Sequence, residues 1–169
     1  MSTLKVSNIQ DISNNAAMSI SGGVVTATSA IQAPGMVSQV VQNTSTSQHS
    51  NTATDWASTG FSVTITPKAT SSKILLNINA SITASANAVQ PRFSIFRGTT
   101  NLGEAGRGFG QIYIASGGLN QSHVSTSFLD SPNTTSAITY TVYMRTNQGT
   151  YYWGSDGGTQ TFIAQEIGG

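Results

Sequence analysis

Six carboxylates, two histidines and no cysteine set the limits on any chemistry this chain could perform. General acid/base work by two carboxylates needs a pair held about 5–10 Å apart with separated pKa values. The spacing of Asp11, Asp55, Glu104, Asp130, Asp156 and Glu166 brings no such pair together. Asp130 stands in an Asp-Ser-Pro-Asn turn, where its side chain is expected to cap backbone amides, and Asp156 stands in a glycine-rich turn. His49 falls in a polar loop and His123 at a strand edge, and no Gly-x-Ser-x-Gly elbow is present. Without cysteine there is no disulfide, thiolate nucleophile or cysteine-based zinc site. A histidine beside a three-fold axis is presented three times, so His123 or His49 could act as an axial ligand in a trimer. The plainer reading makes both surface or loop residues. The expectation is a protein that is not an enzyme and holds no metal or cofactor.

Two other stretches deserve a chemical reading. Gly103–Gly110 is glycine-rich, but a phosphate cradle requires a strand before it, a helix after it and a lysine at the helix start. Strand patterns flank this stretch on both sides and no such lysine follows, so a flexible loop or bulge is expected. Tyr151-Tyr152-Trp153, followed by a Gly/Ser/Asp turn, offers apolar ring faces with polar edges, suited to stacking on sugars or anchoring an interface. Alternation also places Tyr151 and Trp153 on one strand face, which equally suits a core or a subunit contact. The candidate receptor or interface contacts are Tyr151, Tyr152, Trp153, Arg107 and Phe109, in the loops around 103–110, 116–120 and 151–158, with Tyr113 and Tyr143 as additions to the same surface.

The elements that position these residues are strands. Phe61, Val63 and Ile65 alternate with Ser62, Thr64 and Thr66, and Ile74, Leu76, Ile78, Ala80 and Ile82 share one face of a longer run. Further runs are expected at 36–42, 92–97, 110–115, 123–129, 138–146, 150–153 and 159–167, with 43–54 a long polar loop. No window carries a helical stripe with caps, so any helix is a single turn. The pattern predicts an antiparallel β-sandwich of jelly-roll or Greek-key type, with a closed barrel as the alternative. Pro67-x-x-Thr70-Ser71-Ser72 and Pro132-x-x-Thr135-Ser136-Ala137 repeat one spacing, either as polar corners or as a pseudo-symmetric pair of hairpins. Residues 1–35 stand apart: two short apolar runs around Gly22-Gly23 read as a hairpin, and Ala33-Pro34-Gly35 marks a boundary. A lone hairpin is marginal in water, so this segment is expected to need a partner surface.

Composition narrows the partners. Only 8 % of residues are charged, against about 25 % in ordinary soluble domains, and the net charge is +1. The basic residues are scattered rather than clustered, which argues against nucleic acid. No apolar run approaches the about 20 residues needed to cross a bilayer, so membrane insertion is not expected. The start lacks a secretory signal pattern, so synthesis in a cytoplasm is expected.

Several segments together resemble the tail-fibre-like virion structural proteins of tailed bacteriophages, especially those of marine and cyanobacterial hosts. They are the opener Met1-Ser2-Thr3-Leu4-Lys5-Val6-Ser7-Asn8-Ile9-Gln10-Asp11, the entry Pro34-Gly35-Met36-Val37, and the strand–turn–strand pieces Phe61–Ile74 and Phe128–Tyr140. The resemblance implies a virion component with residues 1–35 docked to other virion proteins and 36–169 as a β-sandwich knob. It also implies a homotrimer that attaches to a host surface glycan or protein, and it transfers no catalytic residue. A capsid- or neck-decorating protein and a glycan-degrading tail spike component are the alternatives.

Overall fold

The structure, a computed structural model, describes residues 8–10, 16–21, 24–27, 34–85, 89–114 and 120–169. Near the N-terminus β1 (Asn8–Gln10), β2 (Ala16–Ser21) and β3 (Val24–Ala27) pair as a small antiparallel sheet. The two expected runs pair antiparallel, Ser21 opposite Val24, and residues 22–23 between them lie outside the described residues.

The rest builds two antiparallel sheets. Sheet I contains β4 (Val37–Ser45), β5 (His49–Asn51), β7 (Lys73–Ala84), β11 (Asn120–Asp130), β13 (Tyr151–Trp153) and β14 (Gln160–Ile167). Sheet II contains β6 (Ala57–Ile65), β8 (Arg92–Arg97), β9 (Thr100–Asn101), β10 (Gly110–Gln111) and β12 (Ile138–Arg145). β7 is the axis of sheet I. β11 pairs along one side of it, while β14 and then β13 lie end to end along the other. Between β13 and β14 the chain leaves the ladder through a single 3-10 turn, Ser155–Gly157. This is an open two-sheet sandwich and not a closed barrel.

Period-two patterning explains which faces meet. Phe61, Val63 and Ile65 of β6, Ile74, Leu76, Ile78 and Ile82 of β7, and Tyr140, Val142 and Met144 of β12 fill one core between the sheets. Each such aliphatic or aromatic side chain contributes roughly 1.5–3 kcal/mol on burial. A β-bulge interrupts β6: the partner of Thr141 is Ser62, but that of Tyr143 is Ser58. Gly60 takes φ 77° there, a left-handed conformation that glycine adopts without a Cβ penalty. The buried Thr59 hydroxyl repairs the gap, donating to the Val142 carbonyl (2.9 Å) and accepting the Phe61 N–H (3.0 Å).

Three expectations are corrected. The stretch 43–54 is not one long loop, because β4 runs on to Ser45 and β5 follows. Ladder bonds to β14 and β13 override the polar composition, since an edge strand needs no apolar face on its outer side. The two Pro-x-x-Thr turns are sheet-crossing corners, from β6 to β7 and from β11 to β12, so the hairpin-pair alternative does not hold. The third concerns Asp130, whose side chain caps no turn amide among the described residues. It accepts both contacts from Arg97 Nη1 (3.0 and 2.9 Å) and the Tyr140 hydroxyl (2.7 Å), tying β11 of sheet I to β8 and β12 of sheet II.

Candidate functional site: two outer faces

The sequence-predicted contacts separate by burial. Tyr151 and Trp153 are fully buried, with Trp153 tilted against Phe93 at 5.6 Å between ring centroids. They are core residues and present no surface to a receptor, a correction that follows from their inward register on β13. Burial alone pushes the Tyr151 hydroxyl pKa well up. Tyr152, between them, is half-buried and faces the other way. Tyr113 is 59 % exposed, Arg107 is exposed and Phe109 is half-buried, its ring edge-on to Phe128 at 5.0 Å. Residues 115–119 of the loop expected at 116–120 lie outside the described residues.

The glycine-rich stretch is a pinned loop. Glu104 Oε2 accepts the backbone N–H groups of Gly106 (3.0 Å) and Arg107 (2.6 Å), and the backbones of Glu104 and Gly108 bond each other. Those two N–H donors, Gly106 first, hold the Glu104 carboxyl below its ordinary pKa. Arg92 Nη1 donates to the Gly106 carbonyl (3.1 Å) and Trp56 Nε1 to that of Ala105 (2.8 Å). At Gly108, φ 65°, a Cβ would strike the Phe93 carbonyl and the Trp56 ring, so glycine is required for this close approach.

The loop adjoins an aromatic and cationic cluster on the outer face of sheet II. Phe96 stacks on Tyr143 at 4.0 Å and meets Trp56 edge-on at 6.1 Å, and the Arg145 guanidinium lies 5.6 Å over the Trp56 ring. Arg92 and Arg145 are direct cross-strand partners on this face. Sequence reasoning found Arg107 but passed over Trp56, Phe96, Arg92 and Arg145. The signal was available, since alternation puts Arg92, Ser94 and Phe96 on one strand face and Thr141, Tyr143 and Arg145 on another.

The outer face of sheet I carries a different chemistry. Leu129, Leu75, Gln165 and Val40 are successive cross-strand partners in one row, and Lys73, Ile167 and Val37 form the next. Val40 is 57 % exposed, Val37 49 %, Leu129 46 % and Met36 44 %. This apolar row lies at the end of the sheet where the chain enters from residue 34.

Glu104, Asp130 and Glu166 are each held by hydrogen bonds within the fold. Glu166, fully buried, is desolvated, which favours its neutral form. The Ser72 hydroxyl (2.7 Å), the Lys68 N–H (2.7 Å) and the Gln39 amide (3.0 Å) outweigh this and hold its pKa below the ordinary value. Desolvation, reinforced by Asp130, raises the Tyr140 hydroxyl pKa. His49 lies on β5 opposite Trp153, and His123 on β11 opposite Ser81. Among the described residues no three of His, Cys, Asp and Glu gather as a metal-binding group.

No family model and no curated protein sequence matches the chain. Among solved structures it is similar to the VP2 subviral particle of infectious bursal disease virus, with TM-score 0.46 and 13 % identity over 96 % of this chain. It is also similar to the Gx strain of the same virus, with TM-score 0.45 and 11 % identity over 79 % of this chain. The chain spans 38 % and 33 % of those two chains respectively.

Proposed function

We propose that this chain is a non-enzymatic structural protein of a virus particle, a short tail fibre or fibre-like appendage of a tailed bacteriophage that attaches to the host surface. It works as a homotrimer, with residues 1–35 bound to other virion proteins and the β-sandwich outermost. The observation that carries the reading is the cluster of apolar side chains Val37, Val40, Leu75, Leu129 and Ile167, in two adjacent rows that also hold Gln165 and Lys73, on the outer face of sheet I. Several exposed apolar side chains gathered on one face, rimmed by polar ones, mark an interaction site on a soluble protein. Its position beside Met36 puts it where the N-terminal segment joins, so assembly and anchoring meet at one end of the head.

Three further features support the reading. The opener and the strand–turn–strand pieces resemble tail-fibre-like virion proteins. Glu104, Asp130 and Glu166 are each occupied by hydrogen bonds that serve the fold, which suits a structural role for these three carboxylates. A trimer presents each contact face three times, and linked presentation raises avidity by about 10²–10⁴ over one contact.

The test is made on particles. Antibody raised against residues 36–169 should decorate intact virions at the tail and block their adsorption to host cells. Decoration of the shell without any block would replace attachment by a capsid-decorating role. Shortened host polysaccharide after incubation with the purified protein would overturn the non-enzymatic assignment.

A further inference from the structure

We propose that the Arg92–Arg145 end of the outer face of sheet II is a binding site for acidic saccharides, sugar chains that carry carboxylate groups. The proposal deepens the attachment reading and rests on it for biological meaning, although the binding itself is a property of the isolated chain.

The arrangement of cations is the first argument. Arg92 and Arg145 stand directly opposite each other on β8 and β12. Like charges in that position disfavour the strand pair. A chain with seven basic residues in all has nevertheless placed two of them there. Arg107 joins them through the pinned loop, whose Gly106 carbonyl accepts from Arg92. Among the described residues the only ion pair is Arg97–Asp130, so none of these three arginines touches a carboxylate directly. Glu104, bonded to the loop amides, keeps its charge and attracts Arg107 and Arg92 through space. Asp55, next to Trp56 in sequence, is exposed and makes no ion pair, so three arginines face two carboxylates and the cluster stays cationic.

Donor geometry is the second. Arg92 is fixed by Gln111 (3.0 Å), Gly106 (3.1 Å) and Gln90 (2.7 Å), which holds its charge in place. Arg145 differs: its guanidinium rests on Trp56, and its buried Nε has no hydrogen-bond partner. A guanidinium has five donors in a planar fork that matches a carboxylate. Cation–π contact with Trp56 orients that fork without consuming it.

The rings supply the third. Trp56 and Tyr143 are half-buried, packed on Phe96 from beneath, so they offer ring surface at little further ordering cost. Rigid aromatic faces suit the C–H faces of sugar rings, and the arginines beside them select sugars that carry negative charge. An acidic peptide would satisfy the arginines but leave the rings without a planar partner.

The experiment measures binding of the full chain to polygalacturonate, to its fully methyl-esterified form and to poly-L-glutamate of equal charge. Polygalacturonate should bind at least about tenfold more tightly than either comparison polymer, the scale of one lost charged contact pair. Arg145→Gln should remove about tenfold of that affinity. Arg107→Gln, on the exposed loop and outside the core, should reduce it while leaving the unfolding transition in place. Equal binding of poly-L-glutamate, equal binding of the methyl ester, or unchanged affinity in both variants overturns the proposal. Saccharide binding by the isolated chain with no antibody block of adsorption would keep the site and sink the attachment reading; the reverse pair of results would do the opposite.

Discussion

The two outer faces of this sandwich handle the same problem in opposite ways. Each sheet puts apolar side chains on the side away from the core. On sheet II the chain covers them itself: Phe96, on an outward position of β8, is only 9 % exposed because Trp56, Tyr143 and the neighbouring loop enclose it. On sheet I the row of Leu129, Leu75 and Val40 has no such roof among the described residues. The contrast teaches that an outward apolar residue can serve stability in one place and association in another. What decides between them is whether the chain brings its own cover. With few charges to spend, the protein fixes that cover with amides, carbonyls and rings.

The contrast can be broken by substitution. Phe96→Ala should cost about 3–5 kcal/mol, as for other buried aromatic truncations, because the covered cluster collapses with it. A urea unfolding midpoint close to wild type would show the cluster to be decoration. Glu166→Gln comes next at about 2–3 kcal/mol, since one amide cannot satisfy the donors from Ser72, Lys68 and Gln39 together. Its pH signature has a definite sign. The folded pKa is depressed, so the stabilisation is complete above the unfolded value of about 4.3 and disappears as pH falls through the folded pKa. The wild type should therefore lose stability on acidification below about pH 4.3 more steeply than Glu166→Gln. Parallel acid limbs would remove Glu166 from the account.

Val40→Ser with Leu75→Thr should change monomer stability by under about 1 kcal/mol, as for half-exposed positions, yet abolish self-association. Sedimentation read beside unfolding separates the two effects, and an intact oligomer would reassign the row. The smallest expected change in folding is for Tyr113→Ser, within about 0.5 kcal/mol, as for other exposed sites. A larger loss would mean that Tyr113 belongs to a covered cluster after all.

Much of the fold was legible because alternation is a direct imprint of a half-buried strand. Arg92–Arg97 and the Ile138 start of β12 fall where the pattern put them, and β7 runs two residues beyond Ile82, the last apolar position of the expected run. Sequence could not show that β13 and β14 share one side of β7, because pairing partners depend on distant residues. The polar end of β4 at Asn43–Ser45 and the short β5 at His49–Asn51 carry no strand signal, because an edge strand needs no apolar alternation. The candidate site was the least legible part. The conspicuous run Tyr151-Tyr152-Trp153 put its two outer members, Tyr151 and Trp153, in the core, while the outward-facing cluster gathered from Trp56, Arg92, Arg107, Tyr143 and Arg145 across separate elements. A contiguous motif advertises itself, whereas a surface assembled by topology does not.

The most direct test of an adhesive head that assembles through an unroofed sheet face is sedimentation equilibrium of the full chain at micromolar concentration. The account predicts a single species of three 17.6 kDa chains that falls to one chain in the Val40→Ser, Leu75→Thr variant. A monomer in the wild type, or a trimer untouched by the double substitution, would contradict it.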